Sequence, residues 1–207
     1  MRIAIDIDGV LRDTFTKIEH LYQKYFIDEL ELVDDDFKYE IITPYDSPEY
    51  SNHFKFKTDE EYLSFMYEEF AMEIFGHSPS TEMSTFYDLN DLIIKYKDKV
   101  KFLLISKQIG KTKPATLFFV SKFGCEIEKI VFYNQLTKDD MWNEFDVLIT
   151  ANPDLLSQKD NKTLIKYETS YNLKIESENT IFNLKELDNK IETLITKWLN
   201  YLVKTTS

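Results

Sequence analysis

Met1-Arg2-Ile3-Ala4-Ile5-Asp6-Ile7-Asp8-Gly9-Val10-Leu11-Arg12-Asp13 is the stretch whose reading decides the fold. Ile3, Ala4 and Ile5 form a short apolar run, the pattern of a buried strand. Asp6 and Asp8 follow at once. Residues two apart in an extended chain point to the same side. The two carboxylates therefore crowd one pocket at the carboxyl end of the strand. Gly9 frees the backbone to turn there. Two like charges this close are costly unless a cation or a shared proton offsets them.

A bound magnesium ion and a phosphorylated substrate would supply a reason for that cost. Other patterns fit less well. A calcium-binding loop begins Asp-x-Asp-x-Asp-Gly, but Gly9 comes too early and Lys17 stands where the last carboxylate belongs. Gly110-Lys111-Thr112 hints at a phosphate-binding P-loop, yet that motif needs a glycine where Ile105 stands. The plain structural alternative for Asp6 and Asp8 is a solvated turn after an edge strand.

A chain of 207 residues can bury one sizeable core with room for a small second domain. The net charge is −12, from 25 basic and 37 acidic residues. Such a chain has no general attraction for nucleic acid or an anionic membrane. Cys125 is the single cysteine, which excludes a disulfide framework and fits a reducing cytoplasm. Beside Gly124 it reads as a small buried residue. No apolar run is long enough to span a bilayer. The Asn161-Lys162-Thr163 glycosylation pattern has no meaning in a cytoplasmic protein.

Periodicity places the elements. Helical spacing runs from Thr14 to Leu30 through Phe15, Ile18, Leu21, Tyr22, Tyr25 and Phe26. Glu29 to Pro48 reads as an irregular connection, and Asp34-Asp35-Asp36 within it as a solvated charge run. Thr58-Asp59-Glu60-Glu61 opens a second helix that ends at Gly76-His77-Ser78-Pro79. Helices follow over Thr85 to Lys97, Ala115 to Phe123 and Leu184 to Lys204. The last of these carries Leu187, Ile191, Leu194, Ile195, Trp198 and Leu202 on one face. Strands are expected at Lys101 to Ser106, Lys129 to Tyr133, Asp146 to Ile149, Thr163 to Lys166 and Thr180 to Phe182. Strands alternating with helices predict an α/β fold with a doubly wound parallel sheet. In such sheets ligands bind beyond the carboxyl ends of the strands. Asp6, Ser106 and the residues after Ile149 occupy that kind of position.

Asp6-Ile7-Asp8-Gly9 resembles the first motif of the haloacid dehalogenase-like superfamily, whose phosphatases carry Asp-x-Asp-Gly after their first strand. More narrowly, Asp6 to Asp13 is similar to the opening of the 5'(3')-deoxyribonucleotidase family. That family usually has a small residue where Arg12 stands. The resemblance implies a Rossmann-like core made of residues 1–13 and 84–207, with residues 14–83 as a helical cap inserted after the first strand. It implies that Asp6 is the nucleophile and forms an aspartyl-phosphate. Asp8 would protonate the leaving oxygen and then activate water. Ser106 matches the second-motif hydroxyl that holds a phosphate oxygen. Lys138 stands roughly where the third-motif lysine belongs, with Lys107 and Lys113 as fallbacks. Tyr171-Asn172 resembles a late Tyr-Asn pair of the family.

The fourth motif departs from the family. There a strand is followed by an acidic pair and then Pro-Asp. Here Asp146-Val-Leu-Ile-Thr150-Ala151-Asn152-Pro153-Asp154 keeps the tail but puts Thr150 and Ala151 in the acidic places. The implied magnesium ligands are the Asp6 carboxylate, the Asp8 backbone carbonyl and, through water, Asp154. Without the acidic pair the site should hold magnesium weakly. Two readings follow. One is a magnesium-dependent phosphatase acting on a nucleoside monophosphate or similar small phosphomonoester. The other is a catalytically impaired scaffold that binds a nucleotide or a protein partner. A phosphatase of polynucleotide ends is disfavoured by the acidic charge and the lack of a basic stripe.

Overall fold

In the computed structural model the described residues are 1–28, 37–158 and 162–205, with residues 198–205 described by their backbone only. Six parallel strands form one sheet: β1 (Arg2–Asp6), β2 (Lys101–Ser106), β3 (Ile130–Phe132), β4 (Val147–Thr150), β5 (Thr163–Tyr167) and β6 (Thr180–Ile181). Their spatial order is β3-β2-β1-β4-β5-β6. The helices are α1 (Thr14–Tyr22), α2 (Asp59–Leu63), α3 (Ala71–Gly76), α4 (Thr85–Tyr96), α5 (Thr112–Lys122), α6 (Lys138–Trp142), α7 (Pro153–Leu156) and α8 (Leu187–Thr205). This is the α/β architecture that the alternation of elements predicts.

The period of two decides what each strand buries. Ile3 and Ile5 of β1, Leu104 of β2 and Val147 and Ile149 of β4 face a core completed by α4, α5 and α8. Ala4, Leu103, Ile105 and Leu148 face the other side, where Met141, Trp142, Phe145 and Leu155 cover them. Helices on both faces leave Ile3, Ala4 and Ile5 without solvent contact. Each fully buried Ile contributes about 1.5–3 kcal/mol by leaving water.

The insertion between β1 and β2 has an apolar cluster of its own, built from Ile18, Tyr22, Phe54, Phe65, Ile74 and Phe75. Ala115 of α5 belongs to the same cluster and ties the insertion to the sheet-covering helices. Asp13 caps α1 by accepting from the Thr16 amide at 3.1 Å. Thr58 caps α2 by accepting from the Glu61 amide at 3.1 Å.

Several boundaries differ from the sequence expectation. The helix of Thr14 continues past Tyr22 as a wider-wound turn over Gln23–Asp28. The expected Thr58–Phe75 helix is three pieces, with Ser64–Glu69 wider-wound and a break at Phe70. Phe70, Phe65 and Tyr25 pack ring on ring there, which favours side-chain packing over a regular ladder. α5 starts at Thr112, three residues before the apolar pattern begins, since the side chain of Thr112 ties back to the Ile109 backbone. α6 and α7 are too short to show a period and were not expected. Asp34-Asp35-Asp36, Asn161 and the side chains of Trp198 and Leu202 lie outside the described residues. Among the described residues no helix is long and apolar enough to cross a membrane.

Candidate active site

Strand register builds the site. Ile5 of β1 pairs with Ile149 of β4, so the next residues, Asp6 and Thr150, stand side by side at the carboxyl edge. Asp6 itself pairs with Ile105 of β2, which puts Ser106 one step further along the same edge. β1 lies where the strand order reverses, between β2 and β4. That is the place where open parallel sheets take their ligands. Asp6, Asp8 and Gly9 open here onto a cavity of about 540 Å³, roofed by the insertion through Phe15, Tyr45, Tyr50 and Tyr67.

Asp6 is 3% exposed. It accepts the Thr150 hydroxyl proton at 2.7 Å. Burial, and next the charge of Asp8, push its carboxyl up to about 8, while the Thr150 and Asp8-backbone hydrogen bonds and Arg12 pull the other way.

Asp8 is held on both oxygens. Its Oδ1 accepts from Arg12 Nη2 at 2.6 Å, Arg12 Nε at 3.0 Å and the Thr14 hydroxyl at 3.3 Å. Its Oδ2 accepts from the Ser106 hydroxyl at 3.2 Å and Gln108 Nε2 at 3.1 Å. Arg12 has no solvent contact at all. Its remaining nitrogen, Nη1, donates to the Phe75 carbonyl at 2.6 Å and the Thr116 hydroxyl at 2.9 Å. The guanidinium lies between the Phe75 and Phe119 rings, 5.1 and 5.3 Å from their centroids. A buried guanidinium needs this full set of acceptors, because its charge has no water to solvate it.

The turn after β1 depends on Gly9. Its φ is +78°, and a Cβ there would run into the Tyr171 hydroxyl and come within 2.9 Å of Ala151 Cβ. Ala151 is buried in the core. Asn172, also fully buried, secures this corner. Its Nδ2 donates to the Ala151 and Tyr167 carbonyls, both at 2.9 Å, and its Oδ1 accepts from the Thr169 amide at 3.0 Å.

Of the residues singled out in the sequence, Asp6, Asp8 and Ser106 are brought together. Lys138 opens α6 beyond β3 and does not line the cavity, whereas Lys107 does. Asp154 is exposed on α7 and also lies outside the lining, although its neighbour Asn152 is part of it. Half-buried Cys125 packs against the core, where burial pushes its thiol up. Arg12, Thr14 and Gln108 also hydrogen-bond Asp8, contacts not expected from the sequence. Arg12 had a signal, since four residues separate it from Asp8. Gln108 had only its place two residues past a strand-ending serine.

Magnesium prefers anionic oxygens in near-octahedral order. Here Thr150 directs its proton at Asp6, Ala151 brings no donor and Asp154 is not among the lining residues, which leaves the Asp6 carboxylate and the Asp8 backbone carbonyl. Among the described residues no group of three His, Cys, Asp or Glu side chains is placed to hold a metal ion. The donor set does not fit magnesium. No protein-family model matches this chain, and no curated protein matches it.

Proposed function

We propose that this chain is a haloacid dehalogenase-like scaffold that binds a small molecule of nucleotide size and has little phosphoryl-transfer activity. The observation that carries this reading is the clamp on Asp8. An acid-base residue must exchange protons with the reacting oxygen. Asp8 has both oxygens engaged by four side chains, one of them a buried guanidinium in a two-pronged grip. A cavity of about 540 Å³ under an aromatic roof suits ligand binding.

A second reading, a magnesium-dependent nucleotidase working through Asp6, draws on the convergence of Asp6, Asp8 and Ser106 at the switch point of the sheet. Lys107 is then the cation nearest to hand for a phosphate. The two readings separate in a phosphate-release screen over nucleoside monophosphates and sugar phosphates, with and without magnesium. The binding reading expects release at background level, unchanged in Asp6→Asn. Brisk magnesium-dependent release that Asp6→Asn abolishes would overturn it.

A further inference from the structure

Strand register sets a buried hydroxyl beside an uncommitted cation at the floor of the cavity. Ser106 of β2 pairs with Phe132 of β3, so the residues that follow them, Lys107 and Tyr133, come side by side. The Tyr133 amide donates to the Ser106 carbonyl at 3.1 Å and keeps the two segments together there. Lys107 and Tyr133 both line the cavity, as does Asn152 beyond β4.

Tyr133 is 4% exposed, and its ring packs in the layer that covers Ala4, Ile105 and Leu148. Among the described residues its hydroxyl has no hydrogen-bond partner. The partnerless polar side-chain atoms that are sealed from solvent are Gln108 Oε1, Trp142 Nε1 and Thr169 Oγ1. The Tyr133 oxygen is not one of them, so it keeps access to open space, and the space its side chain lines is the cavity. Burial, and next the charges of Asp6 and Asp8, push the hydroxyl up, so it keeps its proton and serves as a donor near the floor.

A buried donor that faces a cavity with nothing to meet calls for an acceptor from the occupant. Two neighbours also have donors to spare. Lys107 is exposed and has no carboxylate partner among the described residues. Asn152 Oδ1 accepts from the Asp154 amide at 2.8 Å, which leaves its Nδ2 to donate elsewhere. The acids of the wall do not cancel this set. Asp8 is matched by Arg12 and Glu168 by Lys166, while Thr16 donates to Asp13.

We propose that Tyr133, with Lys107 and Asn152, binds an oxyanion of the occupant, a carboxylate or phosphoryl group lying beside Asp6. This names the ligand chemistry of the binding reading above and rests on that reading. The Tyr133 hydroxyl donates to the anion from within the floor, and Lys107 supplies positive charge from the next position along the edge. A neutral or cationic occupant leaves both unanswered.

The test is calorimetric titration of the intact protein, in chelator, with thymidine monophosphate and benzoate, and with thymidine and benzamide as their uncharged twins. At least one oxyanion is expected to bind about tenfold or more tightly than its twin, and more weakly as salt rises. Tyr133→Phe should weaken that oxyanion by about tenfold, the worth of one hydrogen bond to a charged group. It should leave the twin and the melting temperature unchanged, since the hydroxyl has no partner in the protein. Lys107→Met should weaken the oxyanion and flatten its salt dependence. Two silent oxyanions, twins that bind as tightly, or full affinity in either variant would each overturn the proposal. A lower melting temperature in Tyr133→Phe would overturn it as well, by showing that the hydroxyl is bonded within the fold. Phosphate release is measured on the same samples with magnesium. Brisk release overturns the binding reading of the site, whereas no release together with no oxyanion binding overturns this inference alone.

Discussion

Replacing Arg12 by alanine is the sharpest perturbation of this site. The side chain is wholly buried and holds Asp8, whose side chain is 24% exposed, through Nε and Nη2. Removing one partner of a buried pair costs about 3–5 kcal/mol, because the other charge is left unmatched. Partial solvent access to Asp8 places the expected loss at the lower end, about 3 kcal/mol. The Phe75 carbonyl and Thr116 hydroxyl lose a donor as well, and the Phe75 and Phe119 rings lose the cation between them. For a chain of this size that corresponds to a fall in Tm of about 6–12 °C. Urea unfolding with an unchanged slope would attribute the loss to the native state. A double-mutant cycle with Asp8→Asn isolates the pair. The two substitutions together should cost at least about 1 kcal/mol less than their sum. A loss below about 1 kcal/mol in Arg12→Ala, or strict additivity, would refute the clamp.

Asp6 makes stability fall with rising pH. Its folded value, about 8, lies above the unfolded carboxyl value of about 4. The folded state therefore binds the extra proton between these values. Its contribution is complete below about pH 4 and is lost as pH climbs through about 8. In chelator, Asp6→Asn should flatten this slope and melt higher than the native chain at pH 8.5, and an unchanged profile would contradict the burial argument. Thr150→Asp should create magnesium binding measurable by calorimetry, since it sets a second carboxylate beside Asp6 at the strand edge. Ala151→Asp should not help, because position 151 is buried in the core against Gly9 and a carboxylate there lacks a partner. Asn172→Ala leaves the Ala151 and Tyr167 carbonyls and the Thr169 amide without their bonds. It should destabilise by about 2–4 kcal/mol in chemical denaturation.

Asp6 and Asp8 were legible as a strand-end pair because a period of two is written in the chain itself. The strands of the sheet could be marked out for the same reason, since apolar runs bounded by turns carry that signal without any knowledge of partners. α6 and α7 gave no signal, because a helix of one turn has no period to read. Where Lys138 and Asp154 lie relative to the cavity could not be read from spacing alone. They sit on the one-turn helices α6 and α7 and are not among the lining residues.

By itself the sequence determined a parallel α/β core, a carboxylate pair at its first strand and the absence of side-chain carboxylates at Thr150 and Ala151. All of these are local patterns or single-residue identities, which need no second segment to interpret. Only the tertiary structure decided what those carboxylates face. Arg12 binds Asp8 from within four residues, but its burial comes from Phe75, Thr116 and Phe119, far along the chain. Gln108 is left with an unanswered oxygen only because β1 and β2 are neighbours and Asp8 takes its amide. Charge compensation in a low-dielectric site depends on every group packed around it. A linear sequence does not say which groups those are.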